Sequence, residues 1–575
     1  MRILLLTHAF NSLTQRLETE LQGRGHEVSI EFDIADSVAE EAVALFKPQL
    51  IVAPYLRRAI PESIWSRHVC LIVHPGIIGD RGPSALDWAI QGGEVEWGVT
   101  VLQAEAAMDA GPVWASAVFP LRCAKKSSIY RNEVTQAATR AVLQAVERFA
   151  ADDFAPVPLA ACNDARGSLR LLMKQTDRAI DWQCDDTATV LRKINAADGF
   201  PGVADTLFGE ACHIFDGWPE AELRGVSDAR PGELLARRET AVLRKTSDGA
   251  LWIGHAKRAG GIKLPVTLAF AAESAALSEA PLADWWRAAG ATWQDIGYEE
   301  SDGAGFLHFE FYNGAMSTAQ CERLRSALAW AKQRPVGVLV LMGGADFWSN
   351  GIHLNAIEAA ESPADESWNN INAMNDLARE LIETGSQITV AALAGNTGAG
   401  GCFLARAADL VWAREGVILN PHYKNMGNLY GSEYWTYLLP RRVGEASVGD
   451  KSRAIMRNRQ PLTAQRAAAT GFTDACLAGD VQAFRIDVAR RAAEIAVAPD
   501  LAARLAEKRE RRAQDEAIKP LAAYREEELA HMRRNFYGFD PSYHVARHHF
   551  VRKSLASWTP RHLARHRDLG WQVPT

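Results

Sequence analysis

Over the first 150 residues, short apolar runs alternate with stretches whose apolar positions recur at helical spacing. Strands are predicted at 2–7, 27–32, 49–53 and 69–73, with helices at 11–23 and 36–46, and such alternation builds a parallel sheet covered by helices. A strand-rich stretch near 98–103 runs into the turn-forming Met108-Asp109-Ala110-Gly111-Pro112, and a long helix is predicted at about 126–151. Pro156 to Ala161 reads as a linker. From about 170 to 265 the pattern is short strands separated by Gly and Pro turns, a small β module, and Ala-rich 268–292 reads as a second connector. An α/β pattern restarts near Asp295, with a strand at 305–312, a helix at 317–333 and a strand at 336–342 that is apolar on both faces, as in a sheet covered on both sides. Beyond about 480 the chain is helical and charged, and its tail, Tyr543 to Arg567, is rich in Arg and His.

A chain of 575 residues is long enough for two to four domains. The 63 basic and 70 acidic residues give a net charge of −7, which disfavours a nucleic-acid coat. No apolar run reaches the roughly 18 residues of a membrane span, and the short N-terminal run lacks a small-residue cleavage site, so a cytoplasmic protein is expected. The eight cysteines are scattered without Cys-x-x-Cys pairs and read as reduced thiols; no metal site is expected. The tail cluster His544, Arg547, His548, His549, Arg552 and Lys553 has no carboxylate or cysteine beside it, which favours a solvated basic helix over a metal site.

Candidate chemistry falls in two places. In the first, Leu71-Ile72-Val73-His74-Pro75-Gly76 is followed by Gly79-Asp80-Arg81-Gly82-Pro83, Trp97-Gly98-Val99-Thr100-Val101 and the Asp109 turn. A histidine at the end of a buried strand and a carboxylate from a glycine-bounded turn suit proton transfer during acyl transfer; the competing reading is a strand cap and a turn opener. In the second, Gly343 to Leu354 and Gly395 to Cys402 are glycine-bearing loops after strands, able to expose backbone N–H groups as an oxyanion hole or simply to turn tightly. Downstream, Asn420-Pro421-His422-Tyr423-Lys424 and Tyr430-Gly431-Ser432-Glu433-Tyr434-Trp435 set a phenol and a carboxyl about ten residues apart; the alternative is ordinary aromatic core with a helix-start charge.

The first string resembles the folate-dependent formyltransferases, and Thr176 to Trp182, Arg192 to Ala196 and Phe200-Pro201-Gly202 resemble the β-rich C-terminal domain of methionyl-tRNA formyltransferase. That likeness implies 10-formyl-tetrahydrofolate as formyl donor, His74 and Asp109 as catalytic groups, and a pterin near Tyr55 and Arg57. The family's asparagine two residues before the histidine is Ile72 here; losing such a donor costs about 3–4 kcal/mol of barrier, and Asn11 is a weak substitute. The second region resembles the crotonase (enoyl-CoA hydratase/isomerase) superfamily, which implies coenzyme A, an oxyanion hole from the N–H groups of Ile352 and Gly400, and ligand contacts from Ser349, Asn350 and Gly351. The two hydratase glutamates fall at Phe403 and Tyr423, so hydratase chemistry is not expected.

The pairing of modules resembles the HypX (HoxX) family of nickel–iron hydrogenase maturation proteins over essentially the whole chain. The expected architecture is α/β and multidomain: a Rossmann-like formyltransferase unit over 1–160, a small β-rich, OB-like unit over 161–268, a linker over 269–295, and a crotonase-like unit with C-terminal helices over 296–575. The likeness implies formyl transfer from 10-formyl-tetrahydrofolate to coenzyme A, then decarbonylation of formyl-CoA with Tyr423 and Glu433 moving the proton, to supply carbon monoxide to a hydrogenase. Arg547 or Lys553 is expected at coenzyme A phosphates, an internal passage between the sites is expected, and hydrogenase-assembly proteins are the implied partners, with no nucleic acid and no membrane. A non-catalytic folate- and CoA-binding scaffold, and a formyltransferase acting on another amine acceptor, remain as the competing readings.

Overall fold

The computed structural model describes residues 1–151, 153–223, 226–282 and 284–568; residues 569–575 of the expected last unit lie outside the described residues. The first sheet contains β1 (Arg2–Thr7), β2 (Glu27–Phe32), β3 (Leu50–Tyr55), β4 (Cys70–His74), β5 (Glu96–Gln103) and β6 (Val113–Pro120), in the order β2-β1-β3-β4-β5-β6. The first four strands are parallel, β5 runs antiparallel to β4, and β6 runs antiparallel to β5. Alternation along β1 sends Ile3 and Leu5 into one core and Leu4 and Leu6 into another, which is why the strand reads as continuously apolar. The helical stretch predicted at 126–151 comprises Lys126–Ile129, a π-helical turn at Tyr130–Val134, and Thr135–Ala151.

The second sheet is antiparallel: β7 (Val203–Leu207), β8 (Glu210–Glu220), β9 (Leu234–Arg238), β10 (Ala241–Lys245), β11 (Ala250–Arg258) and the short β12 (Leu264–Pro265). A helix the strand pattern did not reveal, Thr187–Ala197, starts at its Asp186 cap and buries Val190 and Ile194 against this sheet. The Ala-rich stretch that follows is stitched to both neighbours: the Arg237 N–H donates to the Ser278 carbonyl, and the Tyr298 N–H to that of Trp285.

The last unit contains β13 (Ile296–Ser301), β14 (Ala304–Phe309), β15 (Val338–Leu341), β16 (Phe347–Ser349), β17 (Ile388–Leu393), β18 (Asn396–Gly398), β19 (Leu410–Arg414), β20 (Ile418–Asn420), β21 (Leu462–Thr463) and β22 (Ala475–Leu477). They form a six-stranded sheet, β13-β14-β15-β17-β19-β22, and a four-stranded one, β16-β18-β20-β21. In the larger sheet Leu339 and Leu341 face one core while Val338 and Val340 face the other. Strand β15 feeds the loop that leads to β16, and β17 the loop that leads to β18, so both glycine-bearing loops emerge beside one another.

The tail returns to the first sheet. The exposed edge of β2 is covered by residues 559–567: the Ile30 N–H donates to the Leu563 carbonyl at 3.0 Å, and the Phe32 N–H to Thr559 Oγ1 at 2.9 Å. Buried Glu31 pairs there with His566 at 2.9 Å and with Arg567 at 2.8 Å. Among the described residues no helix is long and apolar enough to cross a membrane.

Candidate active sites

At the first site, strand alternation puts Ile72 and His74 of β4 on one face. His74 is 4% exposed and lies between two carboxylates: Nε2 is 2.9 Å from Asp80 Oδ1, and Nδ1 is 3.6 Å from Asp109 Oδ2. Asp109 has a left-handed backbone (φ 52°), and its Oδ2 accepts the Gly82 N–H at 3.1 Å. The loop is pinned by Thr100, opposite His74 on β5, whose hydroxyl donates to the Gly76 carbonyl at 2.8 Å. Asp80 is the nearer carboxylate and was not singled out in the sequence. Its signal was a carboxylate in the glycine-bounded turn directly after the histidine.

Ile72 packs against the core that holds Leu4 and Leu6 and brings no hydrogen-bond donor. The Asn11 Oδ1 is spent on capping helix Ser12–Gly23 through the Thr14 N–H, and its Nδ2 lies 3.5 Å from the Tyr130 hydroxyl. Nearby, Arg57 Nε donates to the Tyr55 hydroxyl at 3.2 Å, its N–H donates to Asp33 Oδ2 at 2.9 Å, and its guanidinium stands 5.7 Å from the Phe200 ring centroid. Tyr55 and Arg57 thus share one rim.

The second site is buried. The Tyr423 hydroxyl donates to Glu433 Oε2 at 2.5 Å, and Tyr423 stacks on Phe403 with ring centroids 5.6 Å apart. Burial raises the Glu433 carboxyl to about 7, against the opposing hydrogen bond from Tyr423. Burial, with Glu433 beside it, holds the Tyr423 phenol well above its ordinary range, so the proton stays on the phenol. Gly400 opens helix Gly400–Arg406, so its N–H is one of the helix's unpaired donors, and a Cβ there would lie 2.3 Å from Glu433 Oε1. Gly431 (φ 97°) leaves room for the phenol, since its Cβ would stand 2.1 Å from Tyr423 Cε2.

The neighbouring loop contributes Ser349, Asn350, Gly351 and Ile352. Buried Ser349 Oγ accepts the Gly351 N–H at 3.1 Å, and Asn350 Nδ2 donates to the Asn313 carbonyl at 2.8 Å. A Cβ on Gly351 would lie 3.2 Å from the Gly400 nitrogen, so the backbone segments carrying Ile352 and Gly400 meet. Glu433 and Tyr434 both have left-handed backbones, φ 58° and 59°. Two distant helices grip this loop: Asn375 Oδ1 accepts the Glu433 N–H at 2.8 Å, and Glu528 Oε2 accepts that of Tyr434 at 3.0 Å. Neither residue was foreseen. For Glu528 a signal existed, because it sits on the buried stripe Leu521, Glu528, Met532, Phe536 of an otherwise charged helix.

Side chains of the first two units meet the last unit between the sites. Asn420 Nδ2 donates to Gln15 Oε1 at 3.0 Å, and its carbonyl accepts the Ala399 N–H at 2.9 Å, beside Gly400. Arg131, on the π turn, donates to Asn313 Oδ1 at 3.0 Å and faces the Phe347 ring at 4.6 Å. Burial lowers Lys263 to about 8, with Arg131 and Lys553 adding repulsion against the pull of Asp198 and Asp216. Arg547, expected at a phosphate, is instead committed to a carboxylate far away in sequence: it is buried, with Nε donating to Glu358 Oε2 at 2.9 Å, while His548 takes the other oxygen at 2.7 Å. Lys553 ends that helix in a left-handed cap. Among the described residues no three His, Cys, Asp or Glu are gathered as for a metal ion.

Three family profiles match the chain: formyl transferase at 30–146, formyl transferase C-terminal domain at 172–273, and enoyl-CoA hydratase/isomerase at 310–558. The hydrogenase maturation factor HoxX of Bradyrhizobium diazoefficiens is 53% identical over 569 residues, covering 99% of this chain and 97% of that protein. Methionyl-tRNA formyltransferase of Roseiflexus castenholzii is 31% identical over 40% of this chain and 73% of its own length. The crystal structure of HypX from Aquifex aeolicus in complex with tetrahydrofolic acid superposes with a TM-score of 0.95, at 47% identity and full coverage of both chains.

Proposed function

Because the chain belongs to the HoxX/HypX family of hydrogenase maturation factors, we propose that it makes carbon monoxide for the hydrogenase iron in two steps at its two sites. In the first, the formyl group moves from 10-formyl-tetrahydrofolate to the thiol of coenzyme A. His74, oriented by Asp80 and Asp109, accepts the thiol proton and returns it to the folate nitrogen. Tyr55 and Arg57 line the pterin rim.

In the second step the formyl C–H and C–S bonds break and the carbon leaves as carbon monoxide. The Glu433 carboxylate takes the formyl proton, Tyr423 gives its hydroxyl proton to the departing sulfur, and Glu433 restores the phenol through their 2.5 Å hydrogen bond. The fit of a thioester is supported by Gly400 and Gly351, where side chains would fill the space beside Glu433 and the Gly400 nitrogen. The N–H groups of Ile352 and Gly400 would hold its oxygen. Arg131, Lys263 and Lys553 lie within electrostatic reach of one another, beside Asp198 and Asp216, and are the cations that would meet coenzyme A phosphates; the acyl carrier would pass between the sites near the Gln15–Asn420 contact. Proteins of hydrogenase assembly would receive the product.

The observation that carries this reading is the buried Tyr423–Glu433 pair against Gly400. Keeping bulk water away would also protect the thioester from hydrolysis. The test supplies labelled 10-formyl-tetrahydrofolate and coenzyme A anaerobically and traps carbon monoxide on reduced haemoglobin. Labelled product that is lost in His74→Ala supports the reading, and none above that control refutes it. A binding-only scaffold is the second reading, favoured by the donor missing at Ile72. Unchanged carbon monoxide yields in both Tyr423→Phe and Glu433→Gln, with ligands still bound, would establish it.

A further inference from the structure

Behind the Tyr423–Glu433 pair lies a second buried carboxyl that the proton transfer does not use. Glu528, on helix Leu521–Tyr537, is 1% exposed and has no cationic ion-pair partner among the described residues. Its oxygens accept from the loop around Glu433: Oε2 takes the Tyr434 N–H at 3.0 Å and lies 3.4 Å from Ser432 Oγ, and Oε1 takes the Thr436 N–H at 2.9 Å and the Thr436 hydroxyl at 2.6 Å. Helix Trp435–Arg442 has no side-chain cap from its own start, so Glu528 supplies acceptors to its first turn from another helix. The same acceptors close around two consecutive left-handed residues, Glu433 and Tyr434, a conformation that costs a non-glycine residue free energy unless its surroundings hold it.

We propose that Glu528 is the positioning residue of the second site, fixing the Ser432–Thr436 turn so that the Glu433 carboxyl meets Tyr423 and Gly400. This rests on the reading that Glu433 and Tyr423 carry the proton. Burial, with Glu433 nearby, raises Glu528 to about 8, above Glu433, so it acts on the turn through its hydrogen bonds rather than through its charge. The other titratable or charged groups facing the pair are Tyr423, Tyr430 and Tyr434 on the loop and Cys321 on helix Thr318–Ala331. Arg379 and Arg525 lie beside Tyr434, held by Glu383 and Asp376 respectively.

The experiment compares full-length wild type, Glu528→Gln and Glu528→Asp. Preformed formyl-CoA is supplied across a pH series and carbon monoxide is trapped, with tetrahydrofolate release from the first site measured alongside. Glu528→Gln is expected to lower carbon monoxide release about tenfold to a hundredfold, to move the acid limb of the profile to higher pH as Glu433 loses the Tyr423 hydrogen bond that lowers it, and to leave KM for formyl-CoA and tetrahydrofolate release unchanged. Glu528→Asp keeps the carboxyl acceptors and is expected to bring the limb back toward its wild-type position. Infrared titration of the Glu433 carboxyl, assigned by loss of its band in Glu433→Gln, gives a readout independent of turnover; its midpoint is expected to rise in Glu528→Gln. An unmoved midpoint and limb, or a parallel loss of both partial reactions, would overturn the proposal. Absence of carbon monoxide from wild type would refute the decarbonylation reading alone, since the infrared midpoint still tests Glu528.

Discussion

The two sites solve the same problem, holding a proton carrier against an acyl group, by opposite means. At the first, His74, Asp80 and Asp109 come from one strand end and two nearby turns, and the imidazole is fixed by two carboxylates. At the second, Tyr423 and Glu433 are joined by residues from helices far along the chain, Asn375 and Glu528, and their proton affinities are set mainly by burial. Short-range geometry suffices where charges can be paired; where they are kept buried without a cation, the surrounding fold must supply the restraint.

The sharpest way to break this comparison is to remove one proton carrier from each site. Glu433→Gln or Tyr423→Phe should cut carbon monoxide release from formyl-CoA by about 10²–10⁴-fold while sparing tetrahydrofolate release. Trapping on reduced haemoglobin and a folate assay read the two halves separately. His74→Ala should do the reverse, lowering tetrahydrofolate release by about 10²–10³-fold and leaving decarbonylation of supplied formyl-CoA intact. If either substitution silenced both halves, the sites would not be separable.

A smaller effect is expected from Gly400→Ala, whose methyl would press on Glu433 Oε1: about tenfold to a hundredfold slower decarbonylation in a folded protein, checked by the same trap together with a melting curve. At the first site Asp80→Asn should cost about tenfold in formyl transfer, because Asp109 still faces His74; an effect as large as that of His74→Ala would make Asp80 the principal partner.

pH sharpens the contrast further. Decarbonylation needs ionised Glu433, so its rate should rise with pH through about 7. Stability follows the opposite sign. Folded Glu433 and Glu528 bind protons more tightly than the unfolded chain does, at about 7 and about 8 against 4.5, so their contribution is fullest below the unfolded value and falls as pH rises to about 8. Denaturant midpoints across that window should decline less steeply in Glu528→Gln than in wild type.

Much of this was legible beforehand. The strands of the first sheet and the two glycine-bearing loops followed from apolar runs and turn residues, because local periodicity reports which face is buried. The pairs His74–Asp109 and Tyr423–Glu433 could be picked out because each sits at a strand end or a loop between recognisable elements. Asp80 was hidden by being one polar residue among several in a turn, and Glu528 by standing in the run Glu526 to Glu528, where composition suggests a solvated face. The tail read as a solvated basic helix, yet Glu358 neutralises Arg547, and residues 559–567 close the edge of β2.

By itself, the sequence determined the strands of the first sheet and which residue types stand at their ends, since those depend on neighbours a few positions away. Only the tertiary structure decided which carboxylates lose their water. Desolvation depends on what packs around a group from every direction, and for Glu433 and Glu528 those neighbours come from helices and loops up to about a hundred residues apart in the chain.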